Sequence, residues 1–158
     1  MTEKPVTLRQ ARPDDEPFLY QLYCSTRAEE MAAWGWDPAQ QDMFLKMQFR
    51  ARQLGYQSQC ADPDSRIIER GDHPIGRLLV FRSEAEICLA DIALLPEFRG
   101  AGIGTALINE LLAEAREAGK PVTLHVEKTN LAGQLYERLG FSVVGDTGVY
   151  VKMEWRPA

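Results

Sequence analysis

Leu94-Leu95-Pro96-Glu97-Phe98-Arg99-Gly100-Ala101-Gly102-Ile103-Gly104-Thr105, residues 94–105, decides how the chain is read. The apolar run Ile87 to Leu95 leads into it. Out of it comes a stripe at helical spacing, Leu107, Ile108, Leu111, Leu112 and Ala115, stopped by Gly119. Strand, glycine turn and helix follow one another. Glycines at such a junction leave backbone N–H groups open to an anion, and the helix N-terminus adds partial positive charge. A pyrophosphate is the natural guest, with Arg99 either its counter-charge or a turn-stabilising surface residue. Two phosphate loops are excluded. A G-x-G-x-x-G fingerprint counted from Gly100 meets Thr105 at its last position, and no Lys follows the glycines as a Walker loop requires. A glycine turn with no ligand is the plain alternative.

Working outward, Val6 to Arg9 is a short strand, and Asp14-Asp15-Glu16-Pro17 opens a helix that runs to about Glu30 through Phe18, Leu19, Leu22 and Tyr23. Trp34-Gly35-Trp36-Asp37-Pro38 breaks it. A second helix carries Phe44, Leu45, Met47 and Phe49 on its apolar side and ends before Gly55. Arg66 to Glu69 and Ile75 to Phe81 form a hairpin about the turn Gly71-Asp72-His73-Pro74. Ile87 to Leu95 is apolar enough to be central in a sheet. After the helix from Gly104 to Ala118 come a strand at Val122–Val126, a helix at Leu131–Leu139 closed by Gly140, a strand at Phe141–Val144, and a last alternating strand at Val149–Trp155, read as an edge. The fold class is mixed α/β, one domain over residues 1–158.

Eighteen Lys and Arg against 23 Asp and Glu give a net charge of −5, which argues against general affinity for nucleic acid. No uncharged apolar stretch approaches the ~18 residues of a membrane span, and Met1 to Val6 has no signal-peptide core. Cys24, Cys60 and Cys88 stand far apart in no C-x-x-C arrangement, and His73 and His125 are too few and too separated for a histidine metal site. The expectation is a reducing, cytoplasmic compartment, with no metal, membrane or nucleic-acid partner.

Arg99-Gly100-Ala101-Gly102-Ile103-Gly104 resembles the [Gln/Arg]-x-x-Gly-x-[Gly/Ala] coenzyme A loop of the GNAT N-acetyltransferase superfamily, and Asp91 to Phe98 is similar to the family's fourth strand and its exit. Asn130-Leu131-Ala132-Gly133-Gln134-Leu135-Tyr136-Glu137-Arg138-Leu139-Gly140-Phe141 resembles its second signature, an Asn followed by A-x-x-L-Y-E-x-x-G-F. The resemblance covers residues 66–155 well and the N-terminal third in outline. It implies a mostly antiparallel sheet, flanked by helices, whose fourth and fifth strands splay apart. Acetyl-CoA would lie in that gap. Backbone groups of Ile92, Ala93 and Leu94 would bind its pantetheine, and those of Arg99, Gly100, Ala101, Gly102, Ile103, Gly104 and Thr105 its pyrophosphate.

On spacing alone Tyr136 is a core tyrosine, on one helix face with Ala132, Leu135 and Leu139. The resemblance makes it the acid that protonates departing CoA thiolate, and a phenol with pKa near 10 holds that proton at neutral pH. Asn130 is a helix cap by its own chemistry and a cofactor contact by resemblance. Asp91, a carboxylate in an apolar strand, is a general base or an ion-pair partner. Alternation sets it on the opposite face from Glu86, Cys88 and Ala90 unless a bulge intervenes. Cys88 stands where some relatives carry a catalytic carboxylate.

Met31, Trp34, Trp36 and Tyr56 mark either the acceptor pocket or a satellite core, and Arg27, Glu29 and Glu30 either read a substrate or form a solvated helix face. The expected reaction moves acetyl from acetyl-CoA to a primary amine, of a small molecule or a protein, within a ternary complex. The alternatives are a CoA-binding sensor without turnover and a transferase for another acyl-CoA. By family habit the last strands would carry a homodimer.

Overall fold

The computed structural model describes residues 4–128 and 130–158. Seven strands form one sheet: β1 (Val6–Gln10), β2 (Asp64–Arg70), β3 (His73–Arg82), β4 (Ile87–Leu94), β5 (Val122–Glu127), β6 (Ser142–Asp146) and β7 (Tyr150–Trp155), in spatial order β1-β2-β3-β4-β5-β7-β6. Every neighbouring pair is antiparallel except β4 with β5, which run parallel. Four helices join them: α1 (Glu16–Ala33), α2 (Pro38–Gln59), α3 (Ile103–Ala118) and α4 (Ala132–Arg138). The fold is the expected mixed α/β sheet flanked by helices.

The amphipathic stripe of α3 covers one face of the sheet. Ile103, Leu107, Ile108, Leu111, Leu112 and Ala115 are buried with Ile68, Leu78, Val80 and Leu89. The other face lies under α1 and α2, where Leu19, Phe49 and Ile67 form a smaller core edged by Phe18, Tyr20 and Tyr23. A short 3-10 turn, Pro13–Asp15, leads into α1. Its buried Asp15 receives both prongs of Arg9, at 2.7 and 2.8 Å, and the Arg12 N–H at 2.6 Å. The Arg9 fork, opposed by burial and helped by the Arg12 N–H, holds the Asp15 carboxyl down at about 2.

Several sequence expectations need correction. The second helix runs through Gly55 to Gln59, because a glycine costs a helix only about 1 kcal/mol relative to Ala, and packing along 22 residues overrides it. It starts at a capping box, with Asp37 accepting from the Gln40 N–H at 2.8 Å. Met47 is not on its apolar side but 60% exposed. The hairpin turn is shorter than expected, since His73 and Pro74 already belong to β3. The last strand is not an edge. β7 lies between β5 and β6, and β6 takes the outer position. Among the described residues no helix is long and apolar enough to cross a membrane, and no group of three or more His, Cys, Asp or Glu could hold a metal.

A cleft where the fourth and fifth strands part

β4 and β5 pair only at their first residues, Ile87 with Val122 and Cys88 with Thr123, and then diverge. The cause lies on the other side of β4. Leu79 of β3 pairs with Asp91 and the next residue, Val80, with Leu89, so Ala90 is an extra residue in the ladder. Such a bulge bends its strand and increases its twist. It also resets which face each residue occupies. Cys88 pairs with Phe81 and Asp91 with Leu79, two positions apart on β3, so Cys88 and Asp91 share the α1–α2 face rather than opposing one another.

A cavity of about 280 Å³ opens in the gap. Leu89, Ala90, Asp91, Ile92 and Ala93 form one wall, Leu124 to Glu127 with Asn130, Tyr136 and Tyr150 the other, and Tyr23, Arg27, Glu30, Arg52 and Gln53 close it from α1 and α2. Of the residues the sequence singled out, Asp91, Ile92, Ala93, Asn130 and Tyr136 meet here; Leu94 and residues 99–105 lie outside, at the start of α3. The loop nonetheless adjoins the cleft, since a Cβ on Gly104 would stand 4.0 Å from Ile92 Cδ1. Gly102 caps α3 in the left-handed region, φ 84°, with open space where a side chain would be. Gly100 shares both features at φ 76°. The first N–H groups of α3 have no partner within the helix.

Arg99 serves the turn: its Nε donates to the Leu94 carbonyl at 2.9 Å and its Nη2 to Ser25 Oγ at 3.4 Å. Asn130 Oδ1 accepts from the Ala132 N–H at 2.9 Å and so caps α4. Tyr136 is buried, its ring edge-on to Phe141 at 5.8 Å. Burial, with the Asp91 charge adding to it, pushes the Tyr136 phenol up, so it keeps its proton at neutral pH. Burial likewise pushes the Cys88 thiol up, which leaves it a thiol rather than a nucleophile.

Asp91 accepts from Arg52 Nη2 at 3.3 Å, and Arg52 Nε donates to the Tyr56 hydroxyl at 2.6 Å. Arg77, on β3 between Gly76 and Leu78, reaches the same cluster, with its guanidinium carbon 5.5 Å from the Tyr56 ring centre. Sequence reading missed Arg52, Arg77 and Glu127, because an arginine on a helix or in a hairpin carries no spacing signal. Arg27 and Glu30 line the cavity paired to each other at 2.7 Å, with Arg27 Nη1 also donating to the Tyr23 hydroxyl at 2.6 Å; Glu29 is exposed. Met31 is buried, whereas Trp34 and Trp36 remain 42% and 39% exposed and pack on each other and on Phe44, outside the cavity.

The sequence profile of the acetyltransferase (GNAT) family matches residues 17–141. The [ribosomal protein bS18]-alanine N-acetyltransferase of Haemophilus influenzae is 38% identical over 60 residues, 37% of this chain and 41% of that enzyme. The chain thus matches about two fifths of that relative's length. The PaiA N-acetyltransferase of Thermoplasma acidophilum, solved with coenzyme A, superposes with a TM-score of 0.69 at 19% identity, over 96% of this chain and 99% of its own. The ribosomal-protein-S18-alanine N-acetyltransferase of Escherichia coli gives a TM-score of 0.66 at 20% identity, over 98% and 95%. Splayed strands, the left-handed glycine before α3 and a family match across both agree: the chain belongs to the GNAT acetyltransferase family.

Proposed function

We propose that the protein is an N-acetyltransferase that moves the acetyl group of acetyl-CoA to a primary amine within a ternary complex. The observation that carries this reading is the parted β4–β5 pair, which frees strand edges beside a glycine-capped helix start. The chemistry of the donor set fits the cofactor. Backbone groups of Ile92, Ala93 and Leu94 suit the pantetheine amides, although the Leu94 carbonyl already accepts from Arg99. N–H groups from Gly100 to Thr105 suit a pyrophosphate, with no Cβ at Gly100 or Gly102 to hold it off. The cofactor supplies the acetyl group as an activated thioester.

Asp91, held in place by Arg52 Nη2 at 3.3 Å, accepts the proton that the acceptor's ammonium must lose, directly or through a water. The neutral amine nitrogen then bonds to the acetyl carbon as the carbon–sulfur bond breaks. Backbone N–H groups at the β4 bulge stabilise the carbonyl oxygen. Tyr136 gives its proton to the departing sulfur, and the second proton, shed by the nitrogen as it becomes an amide, returns through water to the phenolate, while the proton on Asp91 passes to solvent. Asn130 borders the cofactor through its side-chain amide. Three free thiols, Cys24, Cys60 and Cys88, fit a reducing cytoplasmic setting.

Thermal unfolding with acetyl-CoA tests the reading. Ligand at about 100 times its Kd should raise Tm by roughly 5–11 °C for a chain of this size. Gly102→Val, which forces a β-branched residue into a left-handed cap, should abolish the ligand-dependent rise whatever it does to the starting Tm. Tyr136→Phe should keep the rise and lower kcat by about 10²-fold or more. No rise in the natural protein removes the acetyl-CoA reading. A rise without transfer to any amine leaves a CoA-binding protein.

A further inference from the structure

Where β3 faces α1 and α2, the cleft holds more positive charge than its contacts neutralise. Arg77 is buried, 8% exposed, yet among the described residues one of its five guanidinium N–H donors finds an acceptor, Gln53 Oε1 at 3.3 Å, and its buried Nε has no hydrogen-bond partner there. A buried charge is normally paired. The nearest carboxylate in the cluster, Asp91, makes its contact with Arg52 instead. Tyr56 supplies no negative charge, because burial and Asp91 push its phenol up and keep it protonated. Glu30 is occupied by Arg27, and Glu127 stands on the β5 wall across the gap. Among the described residues, two guanidiniums therefore share one carboxylate in a cavity that both line. Burial pushes the Arg77 guanidinium down and Asp91 only partly restores it, as expected of a cation whose counter-ion is missing from the fold.

Building on the acetyltransferase reading, we propose that Arg77, with Arg52 beside it, binds a carboxylate of the acceptor, so that the substrate is a small amine that itself carries a carboxylate, as a free amino acid does. Planar, two-pronged donation suits a carboxylate, and an apolar wall of Leu19, Leu22 and Phe49 lies next to it for a side chain. The amine end then points along the cleft toward Asp91 and Tyr136, where transfer takes place. An acceptor that is a polyamine, or a protein N-terminus without a neighbouring acid, leaves Arg77 uncompensated.

Matched pairs decide this. The N-acetyl derivatives of the common amino acids and the corresponding N-acetyl carboxamides are compared as ligands in thermal unfolding, with and without CoA, so the readout needs no turnover. At least one carboxylate should raise Tm where its carboxamide does not. Arg77→Met should weaken that carboxylate by roughly 10- to 100-fold, the scale of a lost charged hydrogen bond, while the CoA-dependent rise persists. Arg77→Lys, which keeps the charge without the fork, should retain part of the effect. In turnover, amino acids should exceed their carboxamides at least about tenfold in kcat/KM, carried by KM. The free Arg77→Met protein should melt no lower than the natural one, since it sheds an unpaired buried charge. Equal response to carboxylates and carboxamides, no response to either, or a clearly lower Tm for Arg77→Met overturns the proposal. Carboxylate binding without any CoA-dependent rise keeps the anion site and discards the acetyltransferase reading.

Discussion

On one face of the sheet α3 lays Ile103, Leu107, Ile108, Leu111 and Leu112 against Leu78, Val80 and Leu89, a dry aliphatic layer. On the other, α1 and α2 bring Leu19 and Phe49 against Ile67 and leave Arg77, Asp91, Arg52 and Tyr56 among aromatic rings. The same strands build both faces, so the difference comes from what each helix contributes. A regular 3.6-residue stripe can seal a sheet with no polar atoms to satisfy. Two helices that meet the sheet only partly leave a seam, and water, charge and ligand enter at the seam. The aliphatic layer under α3 holds the fold, the seam under α1 and α2 has room for an acceptor, and Tyr136, packed at the border of that layer, lines the cleft between them.

The sharpest way to break that division is to cut the dry face. Ile108, 2% exposed on α3, loses most of its packing in Ile108→Ala, at a cost of about 2–5 kcal/mol. Urea unfolding should show the loss, while kcat per folded molecule below the transition should stay within about twofold. A large fall in kcat would mean that the two faces are coupled and that the division is false.

A smaller effect is expected where a polar anchor ties the first helix to the sheet. Asp15 sits at about 2 in the folded chain against about 3.8 unfolded, which corresponds to about 2 kcal/mol of stability. Since the folded value is the lower one, that stability is complete above about pH 5 and lost as pH falls toward 2. Asp15→Asn should therefore lower Tm by roughly 4–8 °C at pH 7 and by much less near pH 2.5. An equal loss at both pH values would assign the anchor to packing rather than to the Arg9 pair.

How much of this the sequence disclosed follows the same division. The strand, glycine loop and α3 were legible because a nearly continuous apolar run, Ile87 to Leu95, gives way through three glycines to a stripe at helical spacing, and that stripe carries the dry face. The bulge at Ala90 was not. One extra residue in a ladder is defined by the partner strand, and no residue type in Leu89-Ala90-Asp91 announces it. The β7–β6 order was hidden too, because an alternating strand reads alike at the edge and one place in. Arg52 and Asp91 lie 39 positions apart, and Arg77 joins them from a third element. Their meeting is tertiary. Asp91 could be picked out as a carboxylate needing a partner, but the partner's identity could not.

Asn130 is where the two kinds of role meet in one side chain, and the smallest predicted effect separates them. Its Oδ1 is engaged by the Ala132 N–H, while the residue borders the cavity beside Tyr136. Asn130→Ala removes the cap and should cost about 1 kcal/mol. Asn130→Ser keeps a cap acceptor but has no amide to donate, so it should recover most of that stability. If the amide N–H also reaches the cofactor, both variants should weaken CoA by about two- to tenfold, the worth of one hydrogen bond, in isothermal titration. Full recovery of affinity in the serine variant would leave Asn130 as a cap alone, and the cofactor would then be held on this side by Tyr136 and backbone. The comparison works because serine alters the donor and the alanine alters both, with no change in net charge at the mouth of the cleft.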